Sequence, residues 1–111
     1  MGCIFCKIAA GEIPSNKVYE NDQVLAFDDV QPLAPVHTIV IPKKHYGTVN
    51  DLDDREIWFA MLAAAQESAR IKGIDQTGYR LVINCGEHGT QVVKHLHLHV
   101  LGGRQLESSM G

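Results

Sequence analysis

His95-Leu96-His97-Leu98-His99-Val100-Leu101 holds three of the chain's six histidines, alternating strictly with apolar residues. Alternation with period two is the pattern of a half-buried β-strand. On a strand, residues i, i+2 and i+4 share a face. The reading therefore predicts three imidazoles in a row, with Leu96, Leu98 and Val100 turned toward a core. A core needs no such row, whereas imidazole serves as acid, base, nucleophile or metal ligand near neutral pH.

The flanking sequence supplies a sheet for this strand. Upstream, Tyr79 to Asn84 alternates as a second strand, and residues 85–92 form a Gly-containing loop into the histidine segment. His37 to Ile41 is β-branched and apolar, reads as a buried strand and is stopped by Pro42. Lys17 to Glu20 and Gln23 to Asp28 form a strand pair around an Asn21-Asp22 turn. Pro32 and Pro35 break the chain, and Ile13-Pro14-Ser15-Asn16 reads as a turn. Residues 4–10 suit a short helical turn ended by Gly11. One long helix is expected, capped by Asp53 with Glu56 completing a capping box. Its apolar stripe is Ile57, Met61, Ala64, Ser68 and Ile71, and Gly73 suits the position after its end. Strands, one helix, then strands implies an α+β fold with a mainly antiparallel sheet covered on one face.

Bulk properties narrow the function. A chain of 111 residues implies one domain, residues 1–111. Its net charge of −3 gives no general attraction to nucleic acid or an anionic membrane. No apolar run approaches the 18 or so residues of a membrane span. The start lacks the basic-then-apolar layout of a signal peptide. Met1-Gly2-Cys3 opens like a myristoylation signal, but Cys6 stands where Ser or Thr is wanted. Three cysteines, an odd number, argue against a disulfide framework. A cytoplasmic protein is expected.

Three readings of the histidine row compete. As metal ligands, residues i and i+4 lie about 13 Å apart, so at most a His-x-His pair reaches one ion easily. As a nucleophilic site, one imidazole attacks phosphorus through an unprotonated nitrogen. A carbonyl accepting from its other N–H would fix that tautomer, and a flanking histidine would assist the leaving group. The third reading is a solvated surface strand.

The segment matches the His-φ-His-φ-His-φ-φ signature and resembles the histidine-triad family. Ile4-Phe5-Cys6-Lys7-Ile8, the run from Ala34 to His45, and Leu101-Gly102-Gly103-Arg104 resemble its nucleotide-binding (Hint) branch. The resemblance covers nearly the whole chain. It implies a five-stranded antiparallel sheet with one long and one short N-terminal helix, and a dimer with a ten-stranded sheet. It also implies hydrolysis of purine nucleoside phosphoramidates. His97 would attack the α-phosphorus and become nucleotidylated, and water would then release the monophosphate. His99 and His37 would line the phosphate and help the leaving-group steps, and His95 would orient His97 through its carbonyl. No catalytic metal is required on this reading. Ile4, Phe5, Ile8, Phe27, Val30 and Ile39 would enclose the purine. Asp29 would grip the ribose hydroxyls, and Asn84, Gln91, Val92 and Val93 would hold the phosphate.

Two departures from the family pattern bear on specificity. Val92 stands where better-known eukaryotic members carry a serine near the leaving group, and the tail from Gln105 to Gly111 lacks their tryptophan. The dinucleoside polyphosphate hydrolase branch is a neighbouring alternative, which Gly102-Gly103-Arg104 and the short chain disfavour. A nucleotide-binding scaffold with incidental hydrolysis is another. Cys3-Ile4-Phe5-Cys6 is a C-x-x-C pair able to chelate one ion, given two more ligands. Some bacterial histidine-triad proteins are similar in pairing it with histidines at the positions of His45 and His95, which would make a structural zinc site. Free thiols or a reversible disulfide are the alternatives. Cys85 reads as a plain small residue and His88 as a solvated one.

Overall fold

A computed structural model describes residues 2–111. In chain order it contains α1 (Ile4–Ala9), β1 (Lys17–Glu20), β2 (Val24–Asp28), β3 (Val36–Pro42), a 3-10 turn (Val49–Asp51), α2 (Arg55–Ile71), β4 (Tyr79–Val82) and β5 (Leu98–Gly102). The strands form one antiparallel sheet in the order β1-β2-β3-β5-β4. The last strand thus inserts between β3 and β4, bringing the histidine segment beside His37. Among the described residues, no helix is long and apolar enough to cross a membrane.

Each face of the sheet has its own apolar layer. Helix α2 covers one face, where fully buried Met61, Ala64, Ala65 and Ala69 meet Val24, Ala26, Val40, Leu98 and Val100. Four alanines on the helix (Ala60 is also buried) keep that layer thin. On the other face Leu25, Phe27, Ile39 and Ile41 pack with Ile8, and with Phe5 and Ala9 of α1. Because α1 is only six residues long, it covers part of this face and leaves the rest open.

Strand β2 begins one residue late, at Val24, and β3 runs one residue further at each end and includes Pro42; three other boundaries also differ from the expectations. The histidine strand begins at Leu98, so His95 and His97 precede it. The cause is local. The Leu96 N–H donates to Tyr46 O at 2.7 Å, and the His95 carbonyl accepts from a histidine ring, so neither joins a ladder. The apolar half of the alternation holds regardless, since Leu96, Leu98 and Val100 all face the α2 core. Strand β4 ends at Val82, which pairs with His99, two residues short of the expected Asn84. Helix α2 is capped by Asp54 rather than Asp53, with Asp54 Oδ1 accepting from Glu56 N at 2.9 Å. The chain's capping box lies earlier, at Thr48 and Asp51.

At the other end of α2, Gly73 adopts φ +75°. Its N–H reaches Arg70 O, and Ile74 N–H reaches Ala69 O, which is the Schellman arrangement. Ile71 lies on the margin of the buried face and is 53% exposed, while Ile74 folds back into the core.

Candidate active site and a neighbouring cysteine-histidine cluster

The uncovered part of the sheet forms the floor of a cleft of about 580 Å³. Odd-numbered residues of β3 and β5 face it, which brings His37, Ile39, His99 and Leu101 onto one surface. His97 enters from the segment before β5. Ile4 and Phe5 of α1 form one wall, and Asn84, Thr90, Val92 and Val93 of the loop before β5 form another. Asn84 Nδ2 donates to Gly89 O and props this loop. Position 89 must be glycine, since a Cβ there would collide with the Cys85 backbone.

Hydrogen bonds assign the protons of the three cleft histidines. His97 Nδ1 lies 2.7 Å from His95 O. A carbonyl only accepts, so Nδ1 carries the hydrogen and Nε2 keeps its lone pair. Leu33 N–H donates to His37 Nδ1 at 3.0 Å, which places the His37 hydrogen on Nε2. That hydrogen points at His99 Nδ1, 2.9 Å away, with Asp29 Oδ2 a more distant acceptor at 3.4 Å. His99 must then carry its own hydrogen on Nε2. The result is a bare nitrogen on His97 beside an N–H donor on His99, with ring centroids 5.0 Å apart.

Burial keeps these rings neutral. His37 and His97 both sit below the ordinary histidine range because desolvation disfavours the cation, although the Asp29 charge opposes this for each and the His95 carbonyl opposes it for His97. His99 is lowered to about 4, first by burial and then by repulsion from the His97 and His37 charges.

The cleft is lined by Ile4, Phe5, Asp29, His37, Ile39, Asn84, Val92, Val93, His97 and His99. It is not lined by five other residues expected at the site: Ile8, Phe27, Val30, Gln91 and His95. Ile8 and Phe27 lie behind it in the core, where Phe27 meets Phe5 edge to face at 5.7 Å. Val30 is 94% exposed and points away. The Gln91 amide is consumed by backbone partners, donating to Val93 O in its own loop and to Gly47 O in the segment after β3 and accepting from Gly86 N. Five lining residues went unforeseen: Gln31, Leu33, Val82, Thr90 and Leu101. Period-two alternation would have placed Val82 and Leu101 on the His99 face. Nothing in the sequence marks Thr90, which takes a left-handed φ of 60°.

The ring of His95 turns away from the cleft. Its Nε2–H donates to Pro42 O at 2.9 Å, leaving the Nδ1 lone pair facing three neighbours. These are Cys3 Sγ at 3.2 Å, His45 Nδ1 at 3.1 Å and Cys6 Sγ at 3.5 Å. Cys6 Sγ also lies 3.2 Å from His45 Nδ1. One lone pair cannot satisfy three donors. A tetrahedral zinc site with bonds of 2.0–2.3 Å sets neighbouring donors roughly 3.3–3.8 Å apart, close to this spacing. The two-sulfur, two-nitrogen set and the second-shell bond to Pro42 O both suit such an ion. Asp29, His37 and His99 also converge. There the shared His37 nitrogen already carries a hydrogen, so that trio is a hydrogen-bonded unit and not a ready ligand set.

The sequence profile of the HIT domain matches residues 10–106. The chain belongs to the HIT domain family. It is 45% identical over 105 residues to a purine nucleoside phosphoramidase of Escherichia coli K12, across 93% of this chain and 88% of that protein. Among solved structures, it is similar to a HIT family hydrolase from Legionella pneumophila, with 47% identity, a TM-score of 0.94 and coverage of 99% of this chain and 100% of that one. A histidine triad nucleotide-binding protein from Candida albicans is similar at 30% identity and a TM-score of 0.84, over 99% and 87% of the two chains. The HIT signature therefore coincides with the segment whose hydrogen bonds set the tautomer of His97.

Proposed function

We propose that this HIT protein is a hydrolase of purine nucleoside phosphoramidates that works through a nucleotidyl intermediate on His97. The observation that carries the reading is the 2.7 Å contact from His97 Nδ1 to His95 O, which leaves Nε2 as a neutral nucleophile in the cleft. Nε2 attacks the α-phosphorus, the P–N bond breaks and the amine departs with one proton drawn from solvent. Water then attacks phosphorus, the P–Nε2 bond breaks, and the monophosphate leaves as that proton is returned. His99 Nε2–H donates to a phosphoryl oxygen as negative charge builds there. The Asp29 carboxylate accepts from the ribose hydroxyls, and Ile4, Phe5 and Ile39 contact the base. The E. coli relative's name supports the substrate class.

The Cys3, Cys6, His45 and His95 set is proposed to hold a structural zinc ion, which would stabilise the fold and supply no chemistry to the reaction. The protein is further proposed to work in the cytoplasm as a homodimer joined through β4. Both sheet edges are paired on one side only. β1 is blunted by a register irregularity and by two charged residues, Lys17 and Glu20, while β4 keeps an unbroken register and carries an exposed Leu81 beside a single charge, Arg80.

The test is hydrolysis of an adenosine phosphoramidate by wild type and by His97→Ala. The variant should lose at least about 10³-fold in turnover while binding AMP within a few-fold of wild type. No hydrolysis by folded wild-type protein would sink the enzymatic reading.

A further inference from the structure

Resting on the reading of His97 as nucleophile, we propose that Cys3, Cys6 and His45 are positioning residues for the reaction, acting through the ring and carbonyl of His95. The need for such anchors comes from the backbone. His95 and His97 lie before β5 begins, so no strand ladder fixes the direction of the His95 carbonyl. Yet that one carbonyl decides which nitrogen of His97 carries the hydrogen.

Three contacts hold it. The Leu96 N–H is bonded to Tyr46 O at 2.7 Å, immediately beside His45. The His95 ring is tied at Nε2 to Pro42 O. Its Nδ1 is tied at the other end to Cys3, Cys6 and His45. With both ring nitrogens engaged and the residue fully buried, rotation of the ring about its χ angles is blocked. Removing the cluster would leave the ring held only by the Pro42 bond, about which it can pivot, with the backbone held at Leu96 alone.

A second route leads from the same cluster. Cys3 Sγ accepts the Cys6 N–H and so caps α1. Helix α1 in turn presses the Phe5 edge against the rings of His95 and His97, with centroids 5.9 and 5.1 Å apart. Both routes end on the orientation of His97, and neither includes a group that touches the nucleotide's phosphate.

His45 is the member to remove, because it is exposed and belongs to neither apolar layer. In His45→Ala, kcat on an adenosine phosphoramidate should fall at least tenfold, with AMP affinity within twofold of wild type. The ¹⁵N spectrum of His97 should show a shift from the Nδ1–H toward the Nε2–H tautomer. His45→Cys, which returns a soft donor, should restore both. If His45→Ala does not fold, His45→Gln fills the space without a ring nitrogen and is read in the same way. A folded variant with unchanged kcat and an unchanged His97 tautomer overturns the proposal. So does a loss confined to thermal stability. The tautomer readout needs no turnover. An inactive wild type would therefore end the hydrolase reading, while the nitrogen spectra would still decide the coupling.

Discussion

At the scale of single residues, chemistry in this cleft is governed by where hydrogens sit on histidine rings. Each cleft histidine has one nitrogen committed to a fixed partner: His97 to a carbonyl, His37 to a backbone N–H, His99 to His37. The depressed proton affinity of His99 gives this a measurable cost. Its ordinary value is 6.5 and its folded value about 4. Above 6.5 neither folded nor unfolded chain holds the extra proton. Between 6.5 and 4 the unfolded chain binds it and the native one does not, so native stability drains away as pH falls. His99→Gln, which keeps an acceptor for His37, should lose this component. Urea midpoints at pH 7.5 and pH 4.5 test it, and equal pH dependence in the two proteins would refute the assignment. The meeting of His97, His99 and His37 in one cleft was legible from spacing and resemblance. The proton pattern was not, because the Leu33 N–H that sets His37 comes from an irregular loop between two prolines.

Elements were legible where periodicity is strong and blurred where two adjacent residues can do the same job. The stripe of α2 and its Gly73 terminus are visible in the sequence. Its cap is not, since Asp53 and Asp54 are equally good cap residues and only the approach of the chain chooses between them. Asp54→Ala should therefore destabilise the protein by about 1 kcal/mol, and Asp53→Ala by far less. Thermal denaturation of the pair would settle which residue caps the helix. The histidine strand shows the opposite failure. Leu96, Leu98 and Val100 kept one facing while the ladder covered only the second half of the segment, and the His95 ring left the row of imidazoles. Side-chain direction and backbone pairing are separable, and a hydrophobic pattern reports the first.

For the whole molecule, the sequence made the α+β class and five antiparallel strands readable, since the strands are short, punctuated and arranged around one amphipathic helix. The insertion of β5 between β3 and β4 was not readable, because strand order depends on contacts between distant segments. The proposed assembly makes a prediction at this scale. Leu81 is 40% exposed on the free β4 edge. Leu81→Lys should shift the protein from dimer to monomer by sedimentation, with little change in the protomer's circular dichroism. A wild type that is already monomeric at micromolar concentration would remove this part of the proposal.

The cysteine-histidine cluster also joins residues 92 positions apart, since Cys3 meets His95. An ion bridging them would close most of the polypeptide into a ring with a detachable clasp. A ring of that length restricts the denatured chain about as much as a long-loop disulfide, roughly 4–5 kcal/mol in a chain-entropy account. Tension applied at the two termini would then load β5, which lies outside the ring, and the clasp before it loaded the strands inside. Only the segments outside the ring, β5 among them, could extend until the metal let go, so a chelator would change the mechanical topology of the molecule as well as its stability.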